Sequence, residues 1–364
     1  MLGWMATLAG VRRFGRFLGL GLIPAMLVGV LAAPARSGPG PEPAPGEAGR
    51  RSQWTARPAL QQARDALSVT TVGRDILAIG GADPLRDQDL DVVEARRTQG
   101  TGTWRYLARL PTARANLATA EVGGLVYAVG GFTKSGPSDA VETYDPESGR
   151  WARSLRLPQP RGGPAAAALG GLLYVAGGEI PGSQFTNSVI VYDPGKRTWS
   201  SVAPMPTARE RFKLVAARGY LYAIGGDNRV SGSAEQVKSL TTVERYDPRT
   251  NRWRTMNPMI EARSLTCAVE TTVGKRRILT VVGGAEFSPA GALVGPRRTT
   301  EVLDLGTGRW TLLKILLPIA RASHDCAAEA NGAVLTIGGV VRQNGEFSPI
   351  ANVDALSLQP RDLQ

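Results

Sequence analysis

A short apolar run that ends in two glycines recurs six times along the chain: ILAIGG (76–81), LVYAVGG (125–131), LLYVAGG (172–178), YLYAIGG (220–226), ILTVVGG (278–284) and VLTIGG (334–339). Each run has the length and apolar content of a buried strand. Glycine weakens a strand, so a pair at its end marks a bulge or a close approach of another backbone. Six copies require the same close approach six times, which only a repetitive architecture supplies.

Successive diglycines are separated by 50, 47, 48, 58 and 55 residues. Other signals keep step with them. A third run follows each pair: VVEA (92–95), VETYDP (141–146), VIVYDP (189–194), VERYDP (243–248), EVLDLG (301–306) and NVDALS (352–357). Tryptophan follows at 104, 151, 199, 253 and 310, six residues beyond the Asp of Tyr-Asp or Leu-Asp in the last four of these. Arginine comes ten residues after the Trp at 114, 161, 209 and 263, and eleven after it at 321. Turns such as Gly123-Gly124, Arg218-Gly219 and Asn331-Gly332 suit tight hairpins. The Asp-Pro pairs open a further turn.

Each unit therefore reads as four antiparallel strands, a to d, and four strands at about 50 residues make a propeller blade. The pattern resembles the kelch family over roughly residues 53–358. The resemblance implies an all-β, six-bladed kelch β-propeller with four antiparallel strands per blade. The last unit has no Trp, whereas Trp54 stands alone ahead of the first, ten residues before Arg64. The strand around Trp54 is thus expected to complete the last blade and close the ring.

Residues 1–35 read as a signal peptide or signal anchor. Arg12, Arg13 and Arg16 precede an apolar run from Phe17 to Ala33, and Ala33-Pro34-Ala35 fits a cleavage site. Residues 36–52 form a Pro/Gly-rich linker, and 359–364 a C-terminal tail. The chain is expected to be exported: periplasmic, secreted, or tethered to a membrane by its leader. Cys267 and Cys326 fall on strand a of blades 5 and 6. An exported chain could oxidise them, but disulfide geometry is strict, and buried free thiols are the expectation.

In this topology the d-to-a links and the b-to-c loops share one face. Arg64, Arg114, Arg161, Arg209, Arg263 and Arg321 head strand a there, so they are expected to ring the channel mouth as a ligand-binding set for carboxylate or phosphate. The resemblance implies that this face holds ligand or partner. The b-to-c loops are longest in blades 4 and 5, where Arg229, Lys238, Glu286, Phe287, Arg297 and Arg298 are candidates for specificity.

The net charge of +12 favours acidic partners. No basic stripe interleaved with aromatics is visible, which argues against nucleic acid. The only histidine, His324, has Asp325 as its sequence neighbour, pointing the other way along a strand. One His and two Cys cannot build a usual zinc or copper cage, so no metal and no cofactor are expected.

The first functional expectation is a non-catalytic binding module for an acidic protein segment or acidic glycan. The alternative is a carbohydrate-active enzyme on an acidic sugar, similar to the sialic-acid mutarotase family of exported kelch proteins. That chemistry needs a carboxylate for proton transfer. Glu179 and Glu286 are the catalytic candidates, with Glu210 beside Arg209. The stretch GGEIPGSQF departs from the family in having no arginine a few residues after its glutamate.

Overall fold

A computed structural model describes residues 52–100, 102–229, 236–288 and 293–363. The segment expected to be a leader, 1–35, and the expected linker as far as residue 51 lie outside the described residues.

Six four-stranded antiparallel sheets make up the fold. Blade 1 has strands a to d at Ser68–Val72, Asp75–Ile79, Val93–Arg97 and Arg105–Tyr106. Blade 2 uses Ala118–Val122, Leu125–Val129, Val141–Asp145 and Arg150–Arg153. Blade 3 uses Ala165–Leu169, Leu172–Ala176, Val189–Asp193 and Thr198–Val202. Blade 4 uses Lys213–Ala217, Tyr220–Ile224, Val243–Asp247 and Arg252–Thr255. Blade 5 uses Cys267–Val273, Arg276–Val282, Thr300–Asp304 and Arg309–Leu312. Blade 6 takes Asp325–Ala328, Val334–Ile337 and Val353–Ser357 from the C-terminal end and Gln53–Arg57 from the N-terminal end. Trp54 pairs with Leu356, so the first strand closes the ring as expected. After each diglycine the b-to-c loop forms a two-stranded ribbon, six in all among the described residues.

The diglycine acts between blades. At Gly225 the backbone sits at φ +62, and a Cβ there would lie 2.5 Å from the carbonyl oxygen of Arg263 in the next blade. A side chain is excluded by position and by conformation. The amide of Gly226 donates to that same carbonyl at 3.0 Å. The contact repeats around the ring, from Gly81 to Arg114 at 2.9 Å through to Gly339 and Arg64 at 3.0 Å.

The tryptophans fasten the outside. Trp151, Trp199 and Trp253 each lie across from a tyrosine of strand c, with ring centroids 5.3, 5.0 and 5.2 Å apart. Their indole N–H groups donate to carbonyls in the link that enters the blade, Ala108, Leu155 and Ala203. Apolar faces of adjacent blades make the core; Leu173 and Val175 of blade 3, for example, pack with Val129 and Val141 of blade 2.

The ring closes through backbone pairing between Gln53–Arg57 and Val353–Ser357. Removing residues 1–57 bares the outer edge of Val353–Ser357, an unpaired template for aggregation. The truncated chain is expected to melt over a broad range and elute as oligomers. A synthetic peptide of residues 52–59 added in trans is expected to restore a sharp melt, read by calorimetry.

Cys267 and Cys326 form a disulfide, with their Cα atoms 5.5 Å apart. This corrects the expectation of free thiols. Strand a of blade 5 and strand a of blade 6 run side by side near the axis, which brings the two side chains within bonding reach.

Candidate functional site

The six repeat arginines do not ring an open mouth. Every one is buried, none more than 2% exposed. Arg263 shows the arrangement in full. Its guanidinium donates to the carbonyls of Gly283 and Thr299 at 2.8 and 3.1 Å, and to Glu301 and Glu261 at 2.7 Å each. Arg209 reaches Gly225 O, Thr242 O and Glu244. Arg114 pairs with Glu142, Arg64 with Glu94 and Arg321 with Asp354. Among the described residues Arg161 has no acid partner, because Ile190 stands where the other blades place an acid. It bonds Gly177 O, Ser188 O and Ser188 Oγ instead. Burial pulls the Arg161 guanidinium down to about 10.

The expected ligand-binding set is therefore a set of clasps. The main chain of each arginine holds the diglycine of the preceding blade, and its side chain holds strand c of its own blade. The physical reason is that a buried cation needs a partner, and strand c supplies one in five blades of six. That acid was legible in the third runs as Glu94, Glu142, Glu244, Glu301 and Asp354.

The mouth is built by the residues that follow. Two positions past each arginine, Ala66, Asn116, Gly163, Arg211, Leu265 and Ser323 all have φ between +49 and +57. Five backbone bonds of 2.8–3.1 Å link them around the mouth; the step between Asn116 and Gly163 is open. These residues line a recess of about 50 Å³ together with Phe212, Lys213 and His324. Deeper in, a space of about 110 Å³ is crossed by Lys213 of blade 4, whose Nζ lies 2.9 Å from Asp325 of blade 6. Asp325 also accepts the amide of Val69 at 2.9 Å.

Acidic groups collect beside this mouth in blades 3 and 4. Arg211 lies 3.4 Å from Glu210 and 3.8 Å from Asp227. Burial pushes the Glu210 carboxyl up to about 8; Arg211 and Arg229 oppose the rise, and Glu179 and Asp227 add to it. Burial pushes Asp227 up to about 6, against Arg211, Ser264 and Ser239. Glu179 is buried at the base of the blade 3 ribbon. Glu286 lies on the blade 5 ribbon, paired with Arg297. The two candidate carboxylates are thus two blades apart and form no acid pair. His324 is buried and its pKa is held well below the usual value by desolvation.

Glu210 makes stability depend on pH. Its folded pKa is raised from 4.5 to about 8, so the folded chain holds the proton more tightly. The contribution is full at low pH and declines as pH rises through this window. Glu210→Gln is expected to raise the melting temperature at pH 8.5 and leave it nearly unchanged at pH 5, measured by scanning fluorimetry.

The remaining candidates sit on the ribbons. Arg229 lies over the Phe185 ring at 4.3 Å, which ties the ribbons of blades 4 and 3 together. Lys238 is half-buried opposite Asn228. Phe287 is buried, and its amide donates to Ser239 Oγ at 2.9 Å, joining blades 5 and 4. Arg297 lies 3.3 Å from Glu261, and Arg298 donates to Leu317 O at 2.6 Å. The ribbons of blades 3, 4 and 5 thus form one linked wall.

A family model described as the KLHDC2/KLHL20/DRC7 Kelch-repeats domain matches residues 48–226 and, again, 156–339. An F-box/kelch-repeat protein of Arabidopsis thaliana is 35% identical over 83 residues, which are 22% of this chain and 19% of that protein. The matched stretch thus spans about a fifth of that relative's length. The solved structure of YjhT superposes with a TM-score of 0.69 at 16% identity, covering 84% of this chain and 98% of that one. At this identity the likeness speaks for the fold alone.

Proposed function

The chain belongs to the kelch-repeat family, and on that footing we propose that it is an exported, non-catalytic binding module that holds an acidic protein segment or acidic glycan on its ribbon-bearing face. The observation that carries this reading is the mouth itself. Its recess of about 50 Å³ is far below the roughly 300 Å³ at which small-molecule pockets begin. Glu179, Glu210 and Asp227 beside it are buried. Both features support a partner held over the face and not inside it. The charge of +12 favours an acidic one. The disulfide supports export, because such bonds persist in oxidising compartments. Melting the protein with an oligo-glutamate peptide or an oligogalacturonate, at low and high salt, tests the reading. A saturable rise that shrinks with salt is expected. No rise with either anion at low salt contradicts it.

One observation favours the alternative, an enzyme acting on an acidic sugar. A buried carboxylate raised to about 8, beside a second carboxylate and an arginine, is the kind of perturbed group that active sites use. Adding the protein to freshly dissolved sialic acid and following its anomers by NMR separates the two. The binding-module reading expects equilibration at the buffer rate.

A further inference from the structure

Seven large apolar side chains are strongly exposed among the described residues, and four of them gather at one blade. Ile260 is 54% exposed, Val294 60%, Leu312 37% and Leu316 47%. Ile260 lies on the link into blade 5, Leu316 on the link out of it, Val294 on its ribbon, and Leu312 at the end of its strand d. Their neighbours bring them together. Arg297, three residues past Val294, pairs with Glu261 beside Ile260. The next residue, Arg298, exchanges two bonds with Leu317 beside Leu316, at 2.6 and 2.8 Å. The ribbon base is therefore pinned between the two links, with an exposed apolar side chain on each of the three. Exposed apolar residues scattered singly need no explanation, but several on segments bonded to one another do.

The acids at this edge are already paired: Glu286 is held by Arg297. Glu261 is already held by Arg263 and Arg297. Arg298 and Lys314 are exposed, and among the described residues their cations face no carboxylate within ion-pair distance. Apolar ground with an unneutralised cationic edge complements a segment that carries both acids and apolar anchors. A glycan lacks such anchors.

We infer that the blade 5 edge formed by Ile260, Val294, Leu312 and Leu316 docks an acidic peptide segment of a partner protein through apolar side chains. This rests on the binding-module reading and moves the contact from the channel axis to the rim. The test titrates the full chain into a fluorescein-labelled dodecapeptide of alternating Leu and Glu, and into an oligo-glutamate of equal length, following anisotropy. The Leu-Glu peptide is expected to bind at least tenfold more tightly than oligo-glutamate. Ile260→Asp and Leu316→Asp are each expected to weaken it tenfold or more, and Arg298→Glu to weaken it and flatten its salt dependence. Exposed positions leave the fold intact, which an unchanged melting temperature checks. If both peptides bind alike and the variants bind as the parent does, the blade 5 surface is overturned while the binding-module reading stands. If neither peptide binds, the docking inference falls, and the glycan arm alone then decides the wider reading. Self-association that Ile260→Asp abolishes makes the edge an interface between copies of this chain and overturns the peptide proposal.

Discussion

Replacing Arg263 with alanine is expected to lower the free energy of unfolding by about 3–5 kcal/mol, the range for stripping one partner from a buried ion pair. Glu301 is fully buried and would be left as an uncompensated charge. It would keep only the amides of Ile260 and Glu261, at 2.6 and 3.1 Å. Two carbonyls, of Gly283 and Thr299, would also each lose one donor, keeping Thr266 Oγ1 at 3.5 Å and the Gly283 amide at 3.0 Å. Blade 3 supplies an internal control. Arg161→Ala removes donors to Gly177 O and Ser188 but orphans no carboxylate. It is expected to cost about 1–3 kcal/mol, the cost of leaving a buried acceptor, the Gly177 carbonyl, unmatched, since Ser188 O and Oγ keep the Gly177 amide and Thr186 Oγ1. Urea unfolding of the two variants measures the difference. Equal losses would show that the acid of strand c contributes nothing to the clasp.

Reducing the Cys267–Cys326 bond is expected to cost about 4 kcal/mol, from the loop-closure entropy of a crosslink of this span. The sequence separation is 59 residues. The bond joins blade 5 to blade 6, and blade 6 is the one whose sheet is completed by the other end of the chain. Loosening it should therefore act on the seam of the ring. Melting the protein with and without a phosphine reductant, beside a Cys267→Ala/Cys326→Ala variant, checks this. A melting temperature insensitive to reductant would mean the bond is absent in solution or contributes nothing.

Most of the architecture could be read before the structure. Gly80-Gly81 and its five copies marked the inner crowding, and the lone Trp54 marked the closing strand. Both rest on backbone geometry that repeats, so their spacing is visible in one dimension. The site was harder to read. The spacing puts Arg64 and its five counterparts ahead of strand a in every blade, but it does not say whether a long side chain points outward or folds back onto strand c. The acids at 94, 142, 244, 301 and 354 were the available signal, since a repeated cation and a repeated anion kept in step imply a pair. The αL turns at Asn116, Arg211 and Ser323 carry no consistent residue type, so the mouth they build was not legible. Nor was the pairing of Cys267 with Cys326, at offsets of four and five residues from their arginines, because it depends on how closely two inner strands approach. The apolar edge of blade 5 was hidden for a similar reason. Ile260, Val294 and Leu316 come from three separate segments that meet only in the fold.

We propose that this propeller works by holding an acidic partner over its ribbon-bearing face, with the repeat arginines kept for structure. Hydrogen–deuterium exchange on the full chain, with and without the Leu-Glu dodecapeptide, tests it most directly. Slowed exchange is expected in segments 257–263, 293–298 and 312–318, with amides next to the buried arginines of blades 1 to 3 unchanged. Slowing confined to the opposite face, at the hairpin turns around Gly123-Gly124 and Arg218-Gly219, or none anywhere with either the peptide or an oligogalacturonate at saturation, would contradict it.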